Sequence, residues 1–386
     1  MAKGTVYGPE SRTFYDRRTG TRIRQVTTAS ALHHHPFFII PAYDNAMQRL
    51  IFISYRTGTA QIFAEERATG ELRQLTDRPD IEEWSVHPSR DGKAVFFTAG
   101  TSGWRLDLET LKERELVNFD EVCKSKLAVK STATAMREKG MVAAAMGTTS
   151  VSHDDRWWAV RFNYPSQITD GDIGKEAALA IVDTDTGTPD IILQRDSIGH
   201  LQFCPDDSNL LYYAGPLTDR VWVIHRDGSG NRRLYAQNVQ KNEWITHETW
   251  IPGTRELAFV DWPRGVRCVN ADTGVIRQVT TFNAWHAICN PAGTRMVADT
   301  NFPDIGIQTF DPRDGIGDPQ TLCYPNASSI GEHWNGPFPY AGGPVHVYAP
   351  QHTHPHPSFS PDGQHIVFTS DRSGYAQIYE ATLNET

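Results

Sequence analysis

Three histidines and a glutamine stand close together in the stretch APQHTHPHPSF, and two of these histidines with the glutamine could hold a divalent metal ion. His354 and His356 are two residues apart, so both side chains point to the same side of an extended chain. A proline follows each of them and biases its backbone towards that extended geometry. Gln351 can add a carbonyl oxygen from the preceding loop. Imidazole nitrogens with one oxygen and no thiolate suit Mn, Fe, Ni or Zn.

Histidine also recurs at one register of the chain, five positions before a turn proline. The four segments are HLQFCP, HETWIP, HAICNP and HPSFSP, which begin at His200, His247, His286 and His356. Any single histidine here is explained as a polar residue that begins a strand, but four at the same register favour one shared site. His286 is the best third imidazole for the metal set. No carboxylate belongs to this set, which would leave the charge of the ion available to an anionic ligand.

The elements that carry these histidines are repeated turn-and-strand units. The last unit, HPSFSPDGQHIVFTSDRSGYAQIYEATL, alternates three strands with a Pro-Asp-Gly turn and a polar turn. Six weaker copies precede it at intervals of roughly 40 to 70 residues, and several end in a fourth strand after a Thr-Gly turn. Four strands in each of seven units predict an all-β, seven-bladed β-propeller that forms a single domain over residues 1–386. The strand before the turn is the innermost of its blade, so the four histidines would meet at one mouth of the central channel.

The N-terminal segment is predicted to close the ring. TGTRIRQVTT, residues 19–28, has the sequence of a fourth strand, but no first three strands precede it. The last unit lacks a fourth strand, so the N-terminal strand would complete that blade. Between residues 122 and 146 the chain is longer than a blade needs, and either a strand pair with a loop insertion or a short helix fits the sequence there.

Composition and charge limit the partners of the protein. The net charge is −9 and no basic stretch compensates for it, which excludes non-specific binding to nucleic acid. The N-terminus has no apolar signal region and no run is long enough to span a membrane, so we expect no membrane partner. The five cysteines are scattered and never form a C-x-x-C pair, which predicts free thiols in a reducing compartment. A cytoplasmic protein is therefore expected.

The histidine segments resemble those of the oligogalacturonate lyases, which are seven-bladed β-propeller enzymes of pectin breakdown. The resemblance is strongest in THPHPSFSPDGQHIVFTSDRSG, residues 353–374. It is good in THETWIP, residues 246–252, and in DRVWVIHRDGSGNRR, residues 219–233. It extends over essentially the whole chain but is weak between residues 125 and 198. Generic propellers carry the Pro-Asp-Gly turn without the paired histidines, so the T-H-P-H-P-S-F string is specific.

The resemblance implies roles for individual residues. The implied ligands of a metal ion, usually manganese, are His286, Gln351, His354 and His356. His247 would be the catalytic base, and Arg220 would bind or neutralise the substrate beside the reacting carbon. His200 and His34 match positions that carry histidine in the family and would lie near the substrate. Of the remaining histidines, His33 and His35 are expected in a loop, and His352 is expected to point away from the ligands.

The implied reaction is metal-assisted β-elimination of short galacturonate oligomers, saturated or 4,5-unsaturated and chiefly disaccharides, to give 5-keto-4-deoxyuronate. Elimination removes the proton at C5 of a uronide, beside the carboxylate, and expels the sugar oxygen at C4. A cation and a guanidinium at the carboxylate stabilise the enolate-like transition state. A neutral histidine can accept the proton near neutral pH. The sequence offers a candidate for each of these parts.

Other functions stay open at this point. The protein could be a metal-dependent lyase for a different uronic-acid oligosaccharide, or a hydrolase on the same scaffold, because propellers carry many activities. It could also be a non-enzymatic interaction platform like the TolB-type propellers, whose Pro-Asp-Gly repeats these units resemble. That last alternative predicts no bound metal and does not require histidines at one register.

Overall fold

The computed structural model of the chain describes residues 2–127, 147–163, 177–241, 243–300, 303–313, 316–317, 319–328 and 351–383. Within this part of the chain, thirty strands form seven antiparallel sheets. Each sheet is one blade of a ring around a central channel. The all-β, seven-bladed propeller predicted from the repeats is therefore confirmed.

The first blade is built from the start of the chain. Three strands precede the first repeat, namely β1 (Val6–Tyr7), β2 (Arg12–Tyr15) and β3 (Arg22–Gln25). The first repeat supplies β4 (His33–His34), β5 (Arg49–Ser54), β6 (Gln61–Glu66) and β7 (Leu72–Gln74). β1 pairs with β7, so it becomes a fifth, outer strand of this blade.

The second, third and fourth blades have four strands each. The second contains β8 (His87–Pro88), β9 (Ala94–Ala99), β10 (Ser102–Asp107) and β11 (Glu113–Asn118). The third contains β12 (Ser150–Val151), β13 (Trp157–Asn163), β14 (Ala177–Asp183) and β15 (Pro189–Arg195). The fourth contains β16 (Gly199–Cys204), β17 (Asp207–Ala214), β18 (Val221–His225) and β19 (Arg232–Tyr235).

The last three blades follow the same order. The fifth contains β20 (Trp244–Ile251), β21 (Glu256–Trp262), β22 (Gly265–Asn270) and β23 (Ile276–Thr280). The sixth contains β24 (Ala284–Cys289), β25 (Met296–Thr300), β26 (Ile307–Phe310) and β27 (Gln320–Cys323). The seventh contains β28 (Ser358–Phe359), β29 (His365–Ser370) and β30 (Gln377–Thr382) from the end of the chain.

The N-terminal strand closes the ring as predicted. β3 pairs with β30, with Ile23 opposite Ala381, and so provides the fourth strand of the seventh blade. β2 adds a fifth strand outside β3. The chain therefore begins by joining the first blade through β1 and the last blade through β3.

The apolar core lies between neighbouring blades. At the junction of the seventh and first blades, Val367 and Ile378 pack in one cluster with Phe52 and Phe63. Equivalent clusters of buried residues fill the other six junctions. From the third blade to the seventh, the first strands of adjacent blades contact one another, which places them around the channel.

Tight turns between the first two strands of a blade use glycine where the backbone requires it. In the seventh blade, the Pro-Asp-Gly turn has Gly363 at a φ of 69°, and its N–H donates to the carbonyl of Ser360. Gly92 occupies the matching turn of the second blade at a φ of 70°. Glycine adopts this left-handed backbone without the steric cost of a Cβ.

A buried ion-pair network locks the closed ring, and it is defined by Arg24, Glu65, Arg67 and Glu380. Arg24 of β3 donates from Nε to Glu380 of β30 at 3.2 Å and from Nη2 to Glu65 of β6 at 2.9 Å. Arg67 donates to the same Glu380 carboxylate, and the Tyr43 hydroxyl donates to it at 2.8 Å. The network joins the N-terminal strand to both the last and the first blade.

Few helices interrupt the described strands. The only α-helix in the described ranges is Phe119–Val122, which continues into a π-helical turn at Cys123–Leu127. The short helix that was one option for residues 122–146 therefore begins there, and the rest of that stretch falls outside the described ranges. Short 3-10 turns occur at Glu83–Ser85, Val239–Lys241 and Gln351–Thr353.

Two other expectations can be compared with the structure. No helix in the described ranges is long and apolar enough to cross a membrane. All five cysteines are buried and free of disulfide bonds, as predicted.

We expect Arg24→Met to destabilise the ring by roughly 3 kcal/mol near neutral pH, because it leaves the buried carboxylates of Glu65 and Glu380 with Arg67 as their one shared cation among the described residues. Burial raises the pKa of Glu380, but the charges of Arg24 and Arg67 outweigh burial and lower this pKa to about 2. The stabilisation from Glu380 is therefore complete above its ordinary pKa of 4.5 and is lost as the pH falls towards 2. Thermal unfolding of both proteins between pH 7 and pH 3 should show their melting temperatures converging in acid.

Arg22→Met is the matched control, because Arg22 is an exposed residue of the same strand. We expect its melting temperature to follow the parent protein at every pH. A difference between Arg24→Met and the parent protein that stays constant down to pH 3 would contradict the assignment of the network.

Candidate active site

The first strands of several blades have a register shift, typical of a β-bulge, at the candidate histidines. The ladder between the first and second strands shifts register between Gly199 and Gln202 and between Thr246 and Thr249. The histidines at these two bulges, His200 and His247, have left-handed backbones with φ values of 45° and 50°. A bulge bends its strand and re-aims a side chain. It therefore turns the imidazoles away from the regular alternation of the strand.

The other two histidines of the register lie in the sixth and seventh blades. His286 sits at a third register shift, between Ala284 and Ala287. His356 precedes β28 and has a left-handed backbone with a φ of 47°. Left-handed backbone is unfavourable for residues other than glycine and concentrates at functional sites. All four predicted histidines thus depart from regular strand geometry or directly precede a strand.

Three imidazoles converge into a set that could hold a metal ion. One ring nitrogen each of His286, His354 and His356 lies within 4.8 Å of the other two, and all three residues are buried. The ring centroids of His286 and His356 are 4.1 Å apart. The buried Nε2 of His356 has no hydrogen-bond partner among the described residues. Burial lowers the pKa values of His286 and His356 well below the ordinary value, which favours the neutral form that binds metal ions.

A buried carboxylate, Asp299, lies behind this triad and joins its two blades. Its Oδ2 lies 2.9 Å from Nδ1 of His286, and its Oδ1 accepts the backbone N–H of His286 at 2.7 Å. Its Oδ2 also accepts the backbone N–H of His356 at 3.1 Å. The carboxylate therefore holds the Nδ1–H tautomer of His286 and turns Nε2 towards the triad, as in known carboxylate–histidine–metal arrangements. Burial raises the pKa of Asp299 to about 7, although these N–H groups oppose the rise.

His247 lies beside the triad in a tautomer suited to a base. Its ring centroid is 4.1 Å from that of His286. Its Nδ1 faces the backbone carbonyl of Trp285, which can only accept a hydrogen bond. Nδ1 must therefore carry the proton, and the lone pair lies on Nε2. Burial and the charges around it lower the pKa of His247 well below its ordinary value, so the ring stays neutral.

Arg220 and His200 form a second group next to His247, and Glu248 holds the Arg220 guanidinium. Nε of Arg220 donates to Oε1 of Glu248 at 2.7 Å, and Nη2 donates to Nδ1 of His200 at 3.0 Å. The other oxygen of Glu248 is 3.4 Å from the same Nδ1. A guanidinium keeps its protons, so Nδ1 of His200 must accept the hydrogen bond from Arg220. This contact is shorter than the one to Glu248, and it therefore places the proton of His200 on Nε2. The ring of His200 is stacked on that of His247 at 5.8 Å and presents Nε2–H as a donor.

Burial and the Arg220 guanidinium determine the protonation states of Glu248 and His200. Burial raises the pKa of Glu248, but Arg220 and His200 outweigh it and hold this pKa well below the usual range. Burial and the nearby Arg220 lower the pKa of His200. The group therefore consists of a carboxylate, a guanidinium and a neutral imidazole. His200 keeps 24% of its side chain exposed, so it can reach a ligand.

Two phenylalanines from the first blade form the apolar wall of the site. Phe37 lies 5.5 Å from the ring of His200 and 5.3 Å from that of His356. Phe38 lies 5.0 Å from His286 and 5.8 Å from His247. These rings exclude water from one side of the imidazoles, which strengthens electrostatic interactions within the site.

His34 is not part of this cluster. It lies in β4, where its Nε2 is 3.1 Å from Glu83, and the same carboxylate contacts His352. The expectation that His33 and His35 lie in a loop is wrong for His33, which belongs to β4, and holds for His35, which follows that strand; both residues are buried. The rings of Phe37 and Phe38, in the segment that follows, contact histidines of four other blades. His352 points away from the triad, as expected, and faces Glu83.

Several residues of the site were missed by sequence reasoning. Asp299 lies within the apolar strand MVADT, and a carboxylate in such a strand is a signal that it has a buried partner. Glu248 directly follows His247 in the sequence, but its ion pair with Arg220 joins the fifth blade to the fourth. The described residues that converge in the triad include no carboxylate, but Asp299 lies directly behind it, which the sequence did not indicate. The side chain of Gln351 falls outside the described part of the structure, so its role as a ligand stays a prediction.

Comparisons with known proteins place the chain among similar sequences and folds. The family model described as oligogalacturonate lyase matches residues 1–386. The oligogalacturonate lyase of Dickeya dadantii is 27% identical over 401 residues, covering 100% of this chain and 99% of that protein. The oligogalacturonide lyase of Pectobacterium atrosepticum is 26% identical over 405 residues with the same coverage.

Solved structures show the same fold. An oligogalacturonate lyase in complex with manganese has a TM-score of 0.79 and 24% identity, with 100% of this chain and 99% of that chain covered. An oligogalacturonate lyase from Vibrio parahaemolyticus has a TM-score of 0.79 and 23% identity over the same shares of the two chains.

We expect Asp299→Asn to weaken the binding of a divalent ion at the triad by roughly 10- to 100-fold, because an amide cannot accept all the N–H groups that the carboxylate accepts. Titration calorimetry of the chelator-treated protein with Mn²⁺ measures the change. Asp311→Asn in the same blade, where Asp311 pairs with the exposed Arg313, is the control for lost charge. Unchanged Mn²⁺ affinity in folded Asp299→Asn would show that the carboxylate does not position His286.

Proposed function

Because the chain belongs to the oligogalacturonate lyase family, we propose that it cleaves short galacturonate oligomers, chiefly saturated or 4,5-unsaturated disaccharides, by metal-assisted β-elimination to 5-keto-4-deoxyuronate. Family membership makes the protein an enzyme of the lyase class. The observation that carries the finer proposal is the position of His247. Its proton is fixed on Nδ1 by a backbone carbonyl, and its ring lies 4.1 Å from the metal-binding candidate His286.

The triad fits a divalent ion by the chemistry of its donors. His286, His354 and His356 would hold the ion, with Gln351 as a further proposed ligand. Three neutral imidazoles suit Mn²⁺ or another first-row divalent ion, and a related protein of the same fold was solved with manganese. When bound, the ion supplies positive charge that stabilises the negative charge growing on a substrate carboxylate.

His247 would act as the general base. Its Nε2 lone pair accepts the C5 proton, the C5–H electrons form the C4–C5 double bond, and the C4–O bond breaks with its electrons on the leaving sugar oxygen. Burial, to which the neighbouring Phe38 contributes, lowers the pKa of His247, so the imidazole is neutral and has a lone pair for the proton. A positioned base of this kind contributes roughly 10²- to 10⁴-fold in rate.

Arg220 and His200 would hold the anionic sugar beside the base. The guanidinium is turned towards His200 by its hydrogen bond to Glu248. Its positive charge attracts the uronate carboxylate and stabilises the enolate-like transition state. Nε2–H of His200 is a neutral donor stacked next to His247, which suits a substrate oxygen. A non-enzymatic interaction platform would not need the four convergent imidazoles of His200, His247, His286 and His356.

The test is turnover of digalacturonate and its 4,5-unsaturated form by chelator-treated protein, with and without Mn²⁺, with the released sugars identified by mass spectrometry. We expect Mn²⁺-dependent formation of 5-keto-4-deoxyuronate. His247→Gln should lose roughly 10²- to 10⁴-fold in kcat, because the base is removed, and should keep its Mn²⁺ content.

His153→Gln is the matched control, since His153 is exposed in a turn of the third blade and contacts Ser208. We expect it to retain full activity. Loss of Mn²⁺ from His247→Gln would mean that His247 is a metal ligand and not the base. Bound Mn²⁺ without turnover of either sugar would point instead to a different uronic-acid oligosaccharide.

A further inference from the structure

A second cluster of metal-ligating side chains lies outside the triad, and it is defined here as the Glu83 cluster: His34, Glu83 and His352. One ligand atom from each of the three lies within 4.8 Å of the others. The residues come from three separate parts of the chain, namely β4, the 3-10 turn Glu83–Ser85 and the 3-10 turn Gln351–Thr353. Neither the triad nor the proposed base uses any of them.

The spacing within the Glu83 cluster matches a coordination sphere. Nε2 of His34 is 3.1 Å from Oε2 of Glu83, and Nε2 of His352 is 3.0 Å from Oε1. Metal–nitrogen and metal–oxygen bonds of about 2.1 Å place neighbouring ligand atoms about 3 Å apart. The imidazoles approach the carboxylate from two sides, with a different oxygen facing each.

Surrounding groups orient the ligands as they do in metal sites. Nδ1 of His34 is 3.0 Å from the carbonyl of His35, so it carries a proton and directs Nε2 towards Glu83. The hydroxyl of Tyr55 donates to Glu83. Trp84 lies 4.5 Å from the ring of His34 and is stacked on His352 at 5.9 Å. Both rings are therefore held in place before any ligand arrives.

We propose that His34, Glu83 and His352 form a second divalent-cation site, separate from the triad. Two imidazoles and one carboxylate suit first-row transition ions such as Mn²⁺, Co²⁺ or Zn²⁺ better than Mg²⁺ or Ca²⁺, which prefer oxygen ligands. His352 keeps 24% and Glu83 keeps 14% of its side chain exposed, so an ion can enter and retain open positions. The Glu83 carboxylate would compensate one of the two positive charges of the ion, whereas the all-imidazole triad compensates none.

The two sites are neighbours that share one wall. The indole of Trp84 lies 5.9 Å from His352 of the Glu83 cluster and also 5.9 Å from His356 of the triad. Phe37 lies 6.0 Å from Trp84 and belongs to the same wall between the Glu83 cluster and the triad. Since no ligand is common to the two sets, each site can be removed without altering the ligands of the other.

The experiment measures metal stoichiometry in tag-free, chelator-treated protein after dialysis against Co²⁺ or, separately, Mn²⁺, by mass spectrometry of the metal. We expect two equivalents in the parent protein and one in Glu83→Gln and in His352→Gln. His356→Gln should also bind one equivalent, because it removes only the triad site. Visible absorption of the Co²⁺ forms should differ between His352→Gln and His356→Gln, since the remaining ligands differ.

Glu71→Gln controls for the lost charge, because Glu71 is exposed in the first blade, and it should bind two equivalents. His352→Gln changes a partly exposed residue, so a folding failure of Glu83→Gln leaves the test intact. One equivalent in the parent protein that His356→Gln abolishes would overturn the second site. Two equivalents retained by both Glu83→Gln and His352→Gln would overturn it as well. One equivalent that only Glu83→Gln and His352→Gln abolish would support it while removing the metal from the proposed function.

Discussion

The left-handed backbone at the first-strand bulges is the constraint on which the site depends. A regular strand alternates its side chains between two faces, so residues at equal positions of neighbouring blades would face the cores between those blades. At His200 and His247 the ladder loses register and φ becomes positive, and each imidazole turns into the channel instead. Such backbone costs of order 1–3 kcal/mol at each residue. The closed ring offsets this cost, because seven inter-blade cores and the Arg24 network leave the first strands no room to relax.

The second organising principle is that fixed hydrogen-bond partners decide what each imidazole can do. The Trp285 carbonyl puts the proton of His247 on Nδ1 and leaves a basic Nε2. The Asp299 carboxylate does the same for His286, whose Nε2 then faces the triad. The guanidinium of Arg220 has the opposite effect on His200, whose Nδ1 accepts and whose Nε2 donates. Their neighbours thus suit histidines at one register to three different proposed roles, namely base, metal ligand and hydrogen-bond donor.

The fold and the identity of the site could be read from the sequence because both leave local traces. Turn glycines, alternating strands and an orphan fourth strand indicated the propeller and its closure, and the spacing of histidine to proline indicated which side chains would meet. The bulges could not be predicted, since nothing in HLQFCP or HETWIP marks a positive φ. Asp299, Glu248 and Glu83 were also missed, because each has at least one partner on another blade. The substrate role of His34 stays a prediction from its match to the family, and the sequence gives no sign of its partner Glu83, which lies 49 residues away.

We propose that β24 of the sixth blade, with His286, and the segment ahead of β28, with His354 and His356, aim three imidazoles at one divalent ion beside His247. Anomalous diffraction from crystals of the Mn²⁺-loaded protein, recorded at the manganese edge, tests it most directly. The account predicts a peak about 2 Å from one ring nitrogen each of His286, His354 and His356, with the His247 ring adjacent but not coordinated. Fully loaded crystals with no peak among these three nitrogens, or with His247 as a ligand, would contradict it.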